Sequence, residues 1–134
     1  MSSYACIGAF DKAKAGHDEW YFSTRLAFLD MRGKLQISPL SHWGYGCKVI
    51  TQTHDIINGE FNQTTRDVAV IVDDHAWITS FSTLYKCHVK HHAIVSIGSV
   101  VADMQVEPYT VVAGNPARQI AHWDFEKKRW ISDK

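Results

Sequence analysis

The chain has 134 residues, 46% of them apolar, which is enough for one domain with its own core and too few for two ordinary ones. Lys plus Arg and Asp plus Glu are 14 each, so the formal net charge is zero, which argues against the positive field of a nucleic-acid binder and the bias of a disordered acidic tail. No apolar run approaches the roughly 20 residues that a membrane-spanning helix needs.

In chain order, Met1-Ser2-Ser3-Tyr4 lacks the charged and apolar regions of a secretory signal. Cys6, Cys47 and Cys87 are odd in number and at no metal-like spacing, a usage that predicts a reducing, cytoplasmic setting and no disulfide framework. Residues 1–36 show no clean repeat, and Trp20-Tyr21-Phe22 with the Leu26–Met31 segment is expected to form irregular opening coils that cap the fold. Ile37, Trp43 and Val49 then open six-residue units whose fifth residues are Ser41, Cys47 and Thr53. Asp55 to Arg66, with Asn58-Gly59 and the polar run Asn62-Gln63-Thr64-Thr65, interrupts the pattern and reads as an excursion loop. Openers resume at Val72, Ile78, Leu84, Val89, Val95 and Val101, in steps of 6, 6, 5, 6 and 6, so a tightened corner is expected between Leu84 and Val89. The tail from Ile120 to Trp130, with Trp123 and Phe125, is expected to close the open end as a strand or short helix.

A period of six is neither the 3.6 of a helix nor the simple alternation of a strand. It suits short strands with a corner after each, the opener pointing inward and the fifth residue small enough for the corner. Three such strands close a coil of about 18 residues, and stacked coils pair strand on strand. Val, Ile and Thr, dense from Val68 to Val101, pack well on pleated walls. An ordinary sandwich does not explain small residues recurring four places after each opener.

The hexads, followed by Val111-Val112-Ala113-Gly114-Asn115-Pro116-Ala117-Arg118, resemble the hexapeptide-repeat acyltransferases, the sugar O-acetyltransferases and xenobiotic acetyltransferases among them. The resemblance covers about Ile37 to Ile120. It implies an all-β fold, a left-handed parallel β-helix in a single domain 1–134, with irregular coils over 1–36, hexapeptide coils over 37–118 and a C-terminal cap over 119–134. It also implies transfer of an acyl group, acetyl most commonly, from coenzyme A to a hydroxyl or amine, in a homotrimer whose sites lie between subunits. The acceptor it suggests is a small molecule, a sugar or sugar nucleotide, with no nucleic acid, membrane or metal involved. The chain departs from the family where Ala102-Asp103-Met104 replaces a frequent lysine, so Lys86 or Lys90 is a candidate substitute for a phosphate contact.

Site residues follow from the same resemblance. His54, in Thr51-Gln52-Thr53-His54-Asp55, matches the catalytic histidine and stands where a coil gives way to the excursion. Imidazole suits a general base working near neutral pH. Asp55 is a candidate orienting group by adjacency alone. Trp77 and Ser80 match the residues walling the cleft and touching the pantetheine arm, Ile97 matches a contact to that arm one coil later, and Arg118 matches a cation near the nucleotide phosphates. The 55–66 loop is expected to reach toward a neighbour and shape the acceptor pocket. Two other readings stand beside this one: a catalytically silent trimer acting as a structural or binding module, and a zinc enzyme like the gamma carbonic anhydrases. The second draws on His88, His91 and His92, but His88 and His92 have three residues between them where those enzymes have four. Cys47 is expected in the core, not as a nucleophile.

Overall fold

The computed structural model describes the backbone of Trp20–Phe22 and residues 26–134; the readings for Cys6 and the rest of the N-terminal stretch lie outside it. In chain order the strands are β1 (Trp20–Phe22), β2 (Phe28–Asp30), β3 (Lys34–Ile37), β4 (His42–Trp43), β5 (Lys48–Ile50), β6 (Gln52–Ile57), β7 (Glu60–Asp67) and β8 (Ala69–Val72). They continue as β9 (Trp77–Ile78), β10 (Thr83–Val89), β11 (Ile94–Val95), β12 (Val100–Val106), β13 (Thr110–Gly114), β14 (Ala117–Asp124) and β15 (Arg129–Ser132).

The pairing defines a prism with three walls. On the first, Leu29, Val49, Leu84 and Val101 stack in parallel register. On the second, Ile37, Val72, Val89 and Val106 do the same. On the third the column is Trp43, Ile78, Val95 and Val112. Apart from Ile37, which is half-buried, these openers are buried side chains pointing to one axis, each Val, Leu or Ile worth about 1.5–3 kcal/mol on burial. The predicted core is therefore the observed one.

The corners explain the period. Between the second and third walls the buried residues are Ser41, Ala76, Ala93 and Thr110; between the third and first they are Cys47, Ser82 and Ser99. All but Ser41 tuck under a bend made by a residue in the left-handed region, His75, His92 and Tyr109 at one corner and Gly46, Phe81 and Gly98 at the other. Between the first and second walls the chain turns on a single left-handed residue, Lys86 or Asp103, inside a continuous strand. That corner is one residue shorter, so Lys90 meets Glu107 in the next coil 17 positions on. This is the tightened corner the five-residue step predicts.

Two features differ from the expectation, and a third, the cap, takes one of the two forms expected. The regular coil begins at Phe28, not Ile37, because β2 and β3 pair in parallel with β5 and β8. The excursion is no irregular loop: β6 and β7 form an antiparallel hairpin closed at Asn58-Gly59, both at positive φ, the backbone that tight hairpin turns favour and that Asn-Gly supplies. The cap is made of strands, β14 and β15, which extend the third wall in antiparallel fashion with Trp123 opposite Trp130. Among the described residues no helix is long and apolar enough to cross a membrane.

Candidate functional site

His54 lies inside β6, with its side chain exposed. Its ring rests on Phe61 at 4.8 Å between centroids, and Nδ1 lies 3.3 Å from the carbonyl oxygen of Gln63. A carbonyl only accepts, so this contact makes Nδ1 the protonated nitrogen and leaves the lone pair on Nε2. Asp55 does not orient the ring. A bulge between His54 and Asp55 separates the two side chains, and the Asp55 carboxylate is taken by Arg66 Nε at 2.6 Å and the Thr64 hydroxyl at 2.6 Å. The orienting group is a backbone carbonyl in place of the expected acid.

The hairpin is anchored at its root. Asp30, fully buried, accepts from Arg32 Nε at 2.8 Å and Nη2 at 3.0 Å, and from the backbone N–H of Thr51 at 3.0 Å. The Thr51 hydroxyl donates to the Asp30 carbonyl at 2.9 Å, and the Thr51 carbonyl accepts from Val68 N–H at 2.8 Å. Thr51 precedes the hairpin and Val68 follows it, so both strands leave the prism from one fixed point. Burial works against ionisation of Asp30, but the bonds from Arg32 and Thr51 outweigh it and hold the carboxyl below the usual carboxylate range.

Ser80, Ile97 and Arg118 lie along the edge between the third and first walls. The Ser80 hydroxyl accepts from Tyr45 N–H at 3.0 Å, and its carbonyl accepts from Gly98 N–H, next to exposed Ile97, at 3.0 Å. Gly114 N–H donates to the Ser99 hydroxyl below, and Arg118 pairs across the turn with Ala113, its guanidinium donating to the Ala117 carbonyl. The edge thus presents a hydroxyl, an apolar side chain and a cation in successive coils. Trp77 stands exposed on the third wall itself. Within one chain, therefore, three of the four expected donor contacts share an edge, whereas His54 emerges between the first and second walls and joins none of them. Lys86 pairs with Asp103 at 3.5 Å and Lys90 with Glu107 at 2.7 Å, so each candidate phosphate lysine is engaged by an acid one coil on.

Among the described residues, His88, His91 and His92 do not gather as metal ligands. His88 Nε2 is bonded to Asp73 at 2.7 Å on the second wall, while His91 and His92 sit at the next corner with their Nδ1 atoms 3.0 Å apart. Among the described residues no three His, Cys, Asp or Glu side chains converge as a metal site.

A feature the linear reading does not reveal is a groove of about 540 Å³ on the third wall. Its floor is Trp77 and Ile94, one side is the corner carrying His75, His92 and Tyr109, and the other is Trp123 and Trp130 of the cap. His92 stacks on Tyr109 at 4.6 Å and 7°. Burial, with the neighbouring His75 and His91, holds the His92 imidazole below its ordinary value despite the opposite pull of Asp74. The signal was present as a 17-residue recurrence of ring side chains at 75, 92 and 109, visible only once the coil length is known.

With this geometry the chain is a hexapeptide-repeat, left-handed parallel β-helix. It has the fold of the hexapeptide-repeat acetyltransferases, and the solved structures similar to it carry such names. A maltose O-acetyltransferase from Clostridium difficile 630 is 24% identical, with a TM-score of 0.62 over 68% of this chain and 49% of that one. A hexapeptide-repeat acetyltransferase from Vibrio cholerae O1 biovar eltor, complexed with acetyl coenzyme A, is 19% identical with a TM-score of 0.57, over 70% and 63%. A point variant of AntD, an N-acyltransferase from Bacillus cereus in complex with dTDP-4-amino-4,6-dideoxyglucose and coenzyme A, is 15% identical with a TM-score of 0.55, over 80% and 57%. The chain thus spans about half to two thirds of the length of these proteins. No family model matches the chain, and no curated protein matches its sequence.

Proposed function

We propose that this protein is an acyl-coenzyme A-dependent acyltransferase, with acetyl as the group transferred and a sugar or sugar-nucleotide hydroxyl as the acceptor. The observation that carries the reading is the His54 imidazole, mounted on a rooted hairpin with Nδ1 committed to the Gln63 carbonyl, which leaves Nε2 as the basic nitrogen. An imidazole fixed in one tautomer is what a general base requires. Nε2 takes the proton of the acceptor hydroxyl as its oxygen attacks the thioester carbonyl. The C–S bond then breaks, and the protonated ring returns its proton to the departing thiolate. Ser80 and Ile97 would line the pantetheine arm, Trp77 would wall the cleft and Arg118 would meet phosphate.

The neighbours named for maltose, for acetyl coenzyme A and for an amino-sugar nucleotide with coenzyme A support this substrate class. The separation of His54 from the donor edge within one chain supports a homotrimer with sites between subunits. The reading also places the enzyme in the cytoplasm, in keeping with its cysteine usage. The test is thiol release from acetyl coenzyme A against a panel of sugars and amino sugars. His54→Ala is expected to lower turnover about 100-fold or more, the loss of a general base. Equal rates in wild type and variant would remove His54 from the mechanism. Absence of turnover, together with no thermal stabilisation by coenzyme A, would favour a silent binding module.

A further inference from the structure

We propose that the third-wall groove is a carbohydrate-binding site, separate from the place of transfer, that holds pyranose units of an uncharged oligosaccharide. The site itself stands apart from the acyltransferase reading; only its consequence for the reaction rests on that reading. Within the chain, His54 leaves the prism between the first and second walls, and Ser80, Ile97 and Arg118 follow the edge between the third and first. The groove lies on neither. Trp77 stands on the third wall, and its surroundings are those of the groove. Among the described residues, seven of the eight that line it carry rings, and none is Lys, Arg, Asp or Glu. An aromatic cavity of about 540 Å³ with a few polar groups has the size and make-up of a small-molecule site.

The chemistry of its sides selects the ligand. Trp77 and Trp130, 49% and 40% exposed, offer apolar indole surface. Across from Trp130, Tyr109 stacks on His92 at 4.6 Å and 7°, and His75 follows at 5.0 Å. Rings stacked on one another cover their faces and leave their edges, which carry imidazole nitrogens and a phenol hydroxyl. A pyranose has the matching asymmetry, an apolar face of ring hydrogens and a rim of hydroxyls. A phosphate or carboxylate would enter without a counter-charge, and an alkyl chain would cover the ring edges without bonding them; both leave polar groups unpaired. The backbone points the same way. His75, His92 and Tyr109 hold φ at 61°, 59° and 57°, a region that side chains enter at a cost and a bulky one rarely. The companion corner has Gly46 and Gly98 at two of its three places. Three successive coils here accept strain and carry a ring each time, as surfaces kept for contact with a ligand do.

The experiment starts with binding, on the full chain and without acetyl coenzyme A. Trp77, Trp123 and Trp130 are three of the five tryptophans and all line the groove, so intrinsic fluorescence reports its occupancy. The probes are neutral di- to tetrasaccharides of glucose, galactose, mannose and N-acetylglucosamine, with UDP-glucose and 1-octanol beside them. At least one oligosaccharide is expected to change the emission saturably and to protect Trp123 and Trp130 from oxidation by N-bromosuccinimide, and neither UDP-glucose nor 1-octanol is expected to displace it. Trp77→Leu keeps apolar bulk but loses the indole face, and should weaken binding about tenfold; Tyr109→Phe loses only the hydroxyl, and should weaken it about fivefold. Both folds are checked by circular dichroism. No response to any oligosaccharide, tighter binding of UDP-glucose or 1-octanol, unprotected tryptophans, or unchanged affinity in both variants would overturn the proposal. So would a self-association of the wild type that Trp130→Ser abolishes and no sugar weakens, because a second copy then fills the groove. In the activity arm, units held in the groove should lower KM for a tetrasaccharide acceptor below that of its monosaccharide, and Trp130→Ala should raise the tetrasaccharide KM about tenfold. Sugar binding without thiol release from acetyl coenzyme A would refute the transferase reading and leave the site standing; turnover with no sugar response in the binding arm would do the reverse.

Discussion

Replacing Asp30 by asparagine tests the root on which the hairpin carrying His54 stands. Asp30 has no exposed surface, and its two oxygens accept from Arg32 Nε, Arg32 Nη2, the Arg32 N–H and the Thr51 N–H. Asparagine keeps the shape and one acceptor but turns an NH2 toward groups that only donate. Losing one partner of a buried pair costs roughly 3–5 kcal/mol, and each buried group left unsatisfied about 1–3 kcal/mol. With one acceptor retained and Arg32 partly solvated, a loss of about 3 kcal/mol is expected at pH 7. The assay is urea unfolding followed by tryptophan fluorescence at fixed protein concentration. The pH dependence adds a sign. Because burial is outweighed by hydrogen bonds from Arg32 and Thr51, the folded carboxyl titrates below its unfolded value. Its stabilisation is therefore fully present above the ordinary carboxylate range and is lost as pH falls through the depressed folded value. The substituted amide cannot titrate, so the gap between wild type and Asp30→Asn should narrow below about pH 4. A gap under about 0.5 kcal/mol at pH 7, or one that stays constant into acid, would refute the reasoning.

Three further outcomes follow from single features. Gly44→Ala places a Cβ 2.5 Å from both the backbone nitrogen and the hydroxyl of Ser80, so a destabilisation of about 2–3 kcal/mol is expected in the same unfolding assay, with a weakened coenzyme A affinity if Ser80 lines the arm. Burial pushes the Cys87 thiol up to about 12 and raises that of Cys47; neither should react with Ellman's reagent in the native protein at pH 8, and both should do so in urea. His92 titrates below the ordinary imidazole value because of burial and of His75 and His91, so its proton binds less tightly folded than unfolded, and stability at this site falls as pH drops below the unfolded value. An NMR titration should show the His92 midpoint rising in His75→Ala, and an unmoved midpoint would exclude the coupling.

What the sequence determined by itself is the coil. Openers and small fifth residues name which side chains face the axis and which must fit a bend, and those are local demands: Ala76, Ala93 and Ser99 are buried where only a small side chain fits beneath a left-handed corner residue. The shortened corner was legible for the same reason, as a missing residue between Leu84 and Val89. The excursion was legible only as an interruption. That it is an ordered hairpin rests on cross-strand register, and polar Asn62 and Thr65 pair with β6 although their composition reads as loop. The role of Asp55 was misjudged from adjacency, because in a strand successive side chains point to opposite faces and a bulge then re-aims them; Arg66 and Thr64, about ten residues away, take the acid instead. The groove left only one trace in the sequence, the 17-residue recurrence of rings at 75, 92 and 109. His75, His92 and Tyr109 become neighbours only when coils of 17 residues stack, and Trp123 and Trp130 reach Trp77 only because the cap folds back along the third wall. Spacing along the chain fixes what is buried, since burial is decided within a coil. What lies side by side on the surface is decided between coils, and there the tertiary structure alone has the say.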